Sequence, residues 1–254
     1  TTMMPPEPPA ASAQKEPPRQ QQPPLVPLDP AKQQELQELG QHVLRFLDEA
    51  VQELRARRDP GVEALEAFRD TLLRQGQFLS AESDVQHAQP LAYTPYQVFR
   101  KPDGNVTINI NVVVNGKIFA DLLQRAKTTP LYRDILIAVL VKEGTTLVDL
   151  RSRPQFYIDM WDLSLAFAQR QFDRADPTAV ELARRTAAHL VEMEAVGYLA
   201  VLDYFSRRAI IPEALEAVGP QELDPWLGGT LRHFFEFLRL TQDKNVRLEE
   251  YARD

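Results

Sequence analysis

The 254-residue chain contains no cysteine, which removes disulfides, thiolate nucleophiles, Cys-based zinc sites and iron–sulfur clusters and argues against a small secreted scaffold. It has only ten glycines, and they form no phosphate-cradling loop, no dinucleotide-binding fingerprint and no Gly-x-Ser-x-Gly nucleophile elbow. The four histidines, His42, His87, His189 and His233, are too dispersed to make a local metal or triad signature. Long apolar runs are missing as well. The densest stretch, Ala195 to Phe205, is interrupted by Asp203 and falls far short of the roughly 20 residues that cross a bilayer. Residues 1–25 carry no hydrophobic segment of the signal-peptide kind, so the expected compartment is the cytoplasm. No cofactor or metal is expected.

Positive charge is also in deficit. The net charge of −7 works against nonspecific binding to nucleic acid or to anionic membrane, both of which need clustered Lys and Arg. Local basic clusters exist at Arg55, Arg57 and Arg58, at Arg184 and Arg185, and at Arg207 and Arg208, each near an expected helix end or on a solvated face. A DNA-binding regulator built on the turn after Arg207-Arg208 would require a one-sided basic surface.

What is present is a globular composition, 44% apolar and 26% charged, behind a proline-rich start. Residues 1–30 hold ten of the twenty prolines and almost no apolar side chain before Leu25, so they are expected to form a disordered tail. Its Pro-Pro pairs favour polyproline II, the form that aromatic grooves read, although a plain solubilising linker is the favoured reading of them. Asp-Pro recurs at Asp29-Pro30, Asp59-Pro60, Asp176-Pro177 and Asp224-Pro225, each time before an amphipathic run, and Thr129-Pro130 repeats the device. The carboxylate accepts from first-turn amides while proline occupies the first helical position, so these pairs predict helix starts.

Leu36, Leu39, Val43, Phe46 and Ala50 recur by threes and fours and predict a helix that fades at Glu53. Arg58-Asp59-Pro60-Gly61 closes a helical hairpin over residues 31–80, whose second helix runs through Val62, Leu65, Phe68, Leu72 and Leu73 to Gly76. Residues 81–96, broken by Pro90 and Pro95, read as a linker. A globular α+β domain, 97–254, follows. Within it, Val106, Ile108, Ile110, Val112 and Val114 alternate with Thr107, Asn109, Asn111 and Val113, a period of two that indicates a strand. Lys101-Pro102-Asp103-Gly104 and Asn115-Gly116 are turn signals on either side of it. Together with Gln97–Arg100 and Lys117–Phe119 this predicts an antiparallel meander over 97–119, covered by helices from Ala120 to Lys127 and from Leu131 to Glu143-Gly144. Thr146–Leu150 could add another strand. Helical segments follow through Phe156–Phe172, Ala179–Arg208 (one helix, or two joined near Gly197) and Leu227–Leu240. The expected fold class is α+β and predominantly helical, with an N-terminal helical hairpin, a small antiparallel β-meander covered by helices, and a C-terminal helical region.

Few residues invite chemistry. Glu194 falls in the centre of an apolar helical face made by Leu190, Val191, Tyr198, Val201 and Phe205, where a carboxylate is expensive unless paired or protonated. It reads either as a general acid or ligand, or as a structural partner of an arginine. His189 and Glu192 lie three apart on one helix, and Asp159 and Asp162 three apart on the preceding one, so the two could converge on a metal; a di-metal bundle would need a fuller set. Trp161 with Tyr157, and Phe234, Phe235 and Phe237, could line a groove, but such stripes usually form core. If the long strand lies at a sheet edge, Asn109, Asn111 and Val113 mark where a partner strand, or a second copy of the chain, could pair.

These observations favour a non-catalytic protein–protein interaction or assembly protein, with partners engaged through the proline-rich tail and the N-terminal helices and a possible homo-oligomer through the edge strand. The competing class is an enzyme or a small-ligand or metal-binding protein centred on Glu194, Asp159, Asp162 and His189. It requires those side chains to converge in one concave pocket.

Overall fold

Helix starts fall where the proline pairs place them. The computed structural model describes residues 30–79, 91–169, 173–211 and 213–215. In it, α1 (Pro30–Ala56), α4 (Pro130–Ser152) and α6 (Pro177–Arg207) each begin on the proline of such a pair. The Asp176 carboxylate accepts from the Thr178 amide at 3.0 Å. That of Asp59 accepts from the Gly61 amide at 2.8 Å, just ahead of α2 (Val62–Gln75). The tail, Asp224-Pro225, the segment Leu227–Leu240 with His233 and its phenylalanines, and His87 lie outside the described residues.

α1 and α2 form the expected hairpin, and the apolar stripe of α1 continues past Glu53 to Leu54, which is fully buried. The turn between them closes with Arg58 in the left-handed region, φ 55°, and the Asp59 amide bonded to the Leu54 carbonyl. The described residues add two further helices, α3 (Gly116–Ala126) and α5 (Pro154–Gln169).

The centre of the molecule is α4. It buries side chains around its whole circumference, from Tyr132 through Leu136, Leu140 and Leu147 to Leu150, so no amphipathic period marks it in sequence. Two glycines let its neighbours approach. A Cβ on Gly144 would lie 1.8 Å from the Ala64 carbonyl oxygen of α2, and one on Gly197 of α6 would lie 2.9 Å from Cγ of Lys142. Gly144 is therefore a packing residue inside a continuous helix, not a stop, and Thr146–Leu150 is helical. An apolar, β-branched run buried on all sides gives the same pattern for strand and helix. α6 likewise runs unbroken through Gly197.

The described strands fall into two sheets. β1 (Gly76–Leu79), β5 (Val112–Asn115) and β2 (Ala92–Tyr93) form one in the order β1-β5-β2, with β1 parallel and β2 antiparallel to β5. β3 (Tyr96–Arg100) and β4 (Val106–Ile110) form a separate antiparallel ribbon, joined by the expected turn with Gly104 at φ 87°. The single meander over 97–119 is thus corrected: the chain changes sheets at Asn111. Asn115-Gly116 closes no hairpin either, because the Asn115 side chain accepts from the Ile118 amide at 3.2 Å and caps α3. Asparagine serves an N-cap as readily as a tight turn. Within the stretch read as a linker, residues 91–96 contain β2 and the start of β3.

The result is a predominantly helical α+β fold with two apolar clusters. The larger joins α1, α2, α3, α4 and α6 with β2 and β5, so the N-terminal hairpin shares its core with the rest of the chain. The smaller seats the ribbon on α5 through Tyr96, Val98, Tyr157, Met160 and Trp161. Tyr157 and Trp161 are core residues, as aromatic stripes usually are. Among the described residues, no helix is long and apolar enough to cross a membrane.

Candidate functional site

The four polar residues singled out from the sequence do not meet. Asp162 accepts a bidentate ion pair from Arg100 of β3 at 2.7 and 2.8 Å. Asp159 accepts from the Gln155 side chain at 2.9 Å. His189 stacks on Phe156 with ring centroids 4.9 Å apart and turns Nδ1 to the Arg185 carbonyl, 3.0 Å away. Glu192, its presumed companion, is held by Arg153. Each side chain has a separate structural partner, and among the described residues no group of three His, Asp or Glu is placed to hold a metal.

Glu194 has a different neighbour. Among the described residues no arginine pairs with it and its Oε2 is buried without a hydrogen-bond partner, and it lies close enough to Glu143 on α4 for the two carboxylates to interact. Glu143 is wholly buried: Oε2 accepts from the Thr94 hydroxyl at 3.3 Å, and Oε1 has no partner there. Burial, reinforced by the negative charge of Glu194, pushes the Glu143 carboxyl up to about 7, against the opposing pull of Lys142 and of the Thr94 hydrogen bond. Lys142 is buried too, its ammonium 4.7 Å from the Tyr198 ring centroid. Glu143 can hold a proton near neutrality, yet neither its carboxyl nor that of Glu194 lines the cavity between α1 and α3 or the one beside β4. Glu143 escaped the sequence reading because the expected helix end at Glu143-Gly144 placed it on a terminus. Carrying the helix past Gly144 would have shown Lys142 and Glu143 in mid-helix, directly after the apolar run Ile135–Val141.

The basic clusters are largely neutralised. Arg207 pairs with Asp59 at 2.9 Å and Arg208 with Asp134 at 3.2 Å. Arg57 reaches Glu53 at 2.8 Å, Arg184 reaches Glu181 at 2.7 Å, and Arg55 holds Glu66. The turn after Arg207-Arg208 offers no free pair of cations to a phosphate backbone.

The ribbon presents an open surface. Among the described residues, β4 has β3 as its sole ladder neighbour. The bonds at the ribbon's ends, Lys101 N–H to Asn105 O and Asn111 N–H to Pro95 O, both 2.9 Å, fix which residues exchange hydrogen bonds. In an antiparallel pair these alternate with residues that do not, so Thr107 and Asn109 turn their main-chain groups to β3, and Val106, Ile108 and Ile110 turn theirs outward. This corrects two of the expected pairing residues, Asn109 and Asn111, whose main-chain groups point inward. The third, Val113, is 5% exposed and hydrogen-bonded into the sheet centre between Gln77 and Tyr93. The strand was visible in sequence; the phase of its hydrogen bonds depends on the turn geometry at 101–105, which was not. Phe99 and Val106, at 49% and 42% exposure, add apolar area to this ribbon. In comparisons with known proteins, the chain matches no family model, no curated protein and no solved structure.

Proposed function

We propose that this is a non-catalytic interaction protein that takes an extended segment of a partner onto the outer edge of β4. The observation that carries the reading is the outward row of main-chain donors and acceptors at Val106, Ile108 and Ile110, on a strand whose ladder partner β3 is seated against α5 through Tyr96 and Trp161. Open edges of this kind pair with other chains unless they are covered. Dispersal of Asp159, Asp162 and His189 into separate contacts removes the support for a catalytic or metal centre built on them.

Val106→Pro tests the edge. Proline there deletes one outward N–H and no ladder bond, a substitution that edge strands accept. Affinity capture from native lysate is expected to recover partners with the wild type and with Val106→Thr, and to lose them with Val106→Pro while circular dichroism stays unchanged. Sedimentation of the same three proteins reports whether the partner is a second copy. Equal capture and equal mass for all three would refute the edge reading, and a parallel sample lacking residues 1–29 separates contacts made by the proline-rich tail.

A further inference from the structure

We infer that the segment accepted by β4 is acidic, and that Arg74 and Arg151 bind its carboxylates in a cavity beside the strand. This rests on the edge reading and adds a partner chemistry to it. The cavity, about 450 Å³, is lined by Ile108, Asn109 and Ile110 of β4 and by no residue of β3. Its other walls are the last turn of α2, with Thr71, Arg74 and Gln75, and Arg151 from the last turn of α4. Among the described residues, no acidic side chain lines it. In a chain of net charge −7, two guanidinium groups converge here without a carboxylate partner among the described residues.

Both are partly positioned in advance. Arg151 Nη2 donates to the Thr71 hydroxyl at 2.7 Å, and that hydroxyl, 3% exposed as a residue, donates in turn to the Ala67 carbonyl at 2.7 Å. Arg74 Nε donates to the Asp70 carbonyl at 3.3 Å. Each contact uses one edge of a planar fork and leaves further N–H donors for a carboxylate. Cations in a last helical turn also complement the helix dipole. That accounts for their sign, but not for two helix ends meeting at one cavity against the strand whose edge is open. A segment running along Val106–Ile110 passes this cavity, and its side chains on one face recur every second residue, so alternate Asp or Glu would reach the arginines.

The test is selection of random peptides displayed on phage against the full chain, with Arg74→Gln/Arg151→Gln and Val106→Pro as comparison targets. The wild type should enrich peptides in which Asp or Glu alternates with β-branched or aromatic residues. A synthetic copy of an enriched peptide, followed by fluorescence anisotropy, should bind the double arginine variant about tenfold more weakly. Replacing its carboxylates by amides should have a similar effect, and combining both changes should weaken it little further. Arg74→Gln alone, which keeps the Arg151–Thr71 contact, should show a smaller loss in the same direction. Enriched peptides that lack acidic residues, or that bind the double variant as well as the wild type, would overturn the acidic grip while leaving edge pairing intact if Val106→Pro still loses them. Peptides indifferent to Val106→Pro, or no enrichment at all, would overturn both.

Discussion

Replacing Glu143 by glutamine should flatten the pH dependence of stability between pH 4.5 and about 7. In the unfolded chain this carboxyl titrates near 4.5; in the folded protein burial raises it to about 7. The folded state therefore binds the proton more tightly, and the stability this contributes is fully present below 4.5 and lost as pH rises through 7. A difference of about 2.5 pH units at 1.36 kcal/mol per unit corresponds to about 3 kcal/mol. Glutamine matches the protonated acid in shape and keeps a carbonyl acceptor for the Thr94 hydroxyl, but does not titrate. Urea unfolding of both proteins across this window should show the wild type losing about 3 kcal/mol relative to Glu143→Gln as pH rises, whatever the offset between them at acid pH. Glu194→Gln removes the neighbouring negative charge, so the wild-type transition should move to lower pH. A stability difference that stays constant from pH 4.5 to 8 would refute the assignment of a buried, neutral acid at Glu143.

Two further substitutions probe the packing. Gly144→Ala places a Cβ inside the Ala64 carbonyl, so α2 and α4 must separate; a loss of about 3 kcal/mol or more is expected, visible as a melting temperature lower by roughly 10 °C. A loss below about 0.5 kcal/mol would mean the two helices do not meet there. Ala209, exposed and at φ 55° past the end of α6, is in a conformation that glycine adopts without strain, and Ala209→Gly should stabilise by roughly 0.5–1 kcal/mol. Calorimetry would check the sign, and a destabilised variant would argue against that backbone.

The sequence displayed features set by local rules. Asp176-Pro177 and Thr129-Pro130 marked helix starts because capping and the fixed φ of proline act within a few residues. The alternation around Val106–Ile110 marked a strand because one of its faces is partly covered, with Ile108 and Ile110 packed against the smaller core. The features it hid depend on distant parts of the chain. Gly144 looks like a stop until Ala64 is brought against it, and Asn115-Gly116 looks like a hairpin turn until α3 begins there. Glu194 was visible as an oddity on an apolar face, whereas its neighbour Glu143 was not, since their proximity exists only once α4 and α6 cross at Gly197. Arg74 and Arg151, 77 positions apart in the sequence, carry no joint signal before folding brings them to one cavity.

The central place of α4 bears on how the chain is made. Its residues 130–152 emerge from a ribosome well after α1 and α2, yet Leu47, Leu54, Leu65 and Phe68 of that hairpin belong to the same core that α4 fills. Until α4 arrives, a nascent hairpin displays much of the apolar surface it will later bury, and α6, which closes the other side at Gly197, comes later still. Between the synthesis of Gln75 and that of Ser152 the hairpin's apolar face is thus open to misassociation and to holding chaperones.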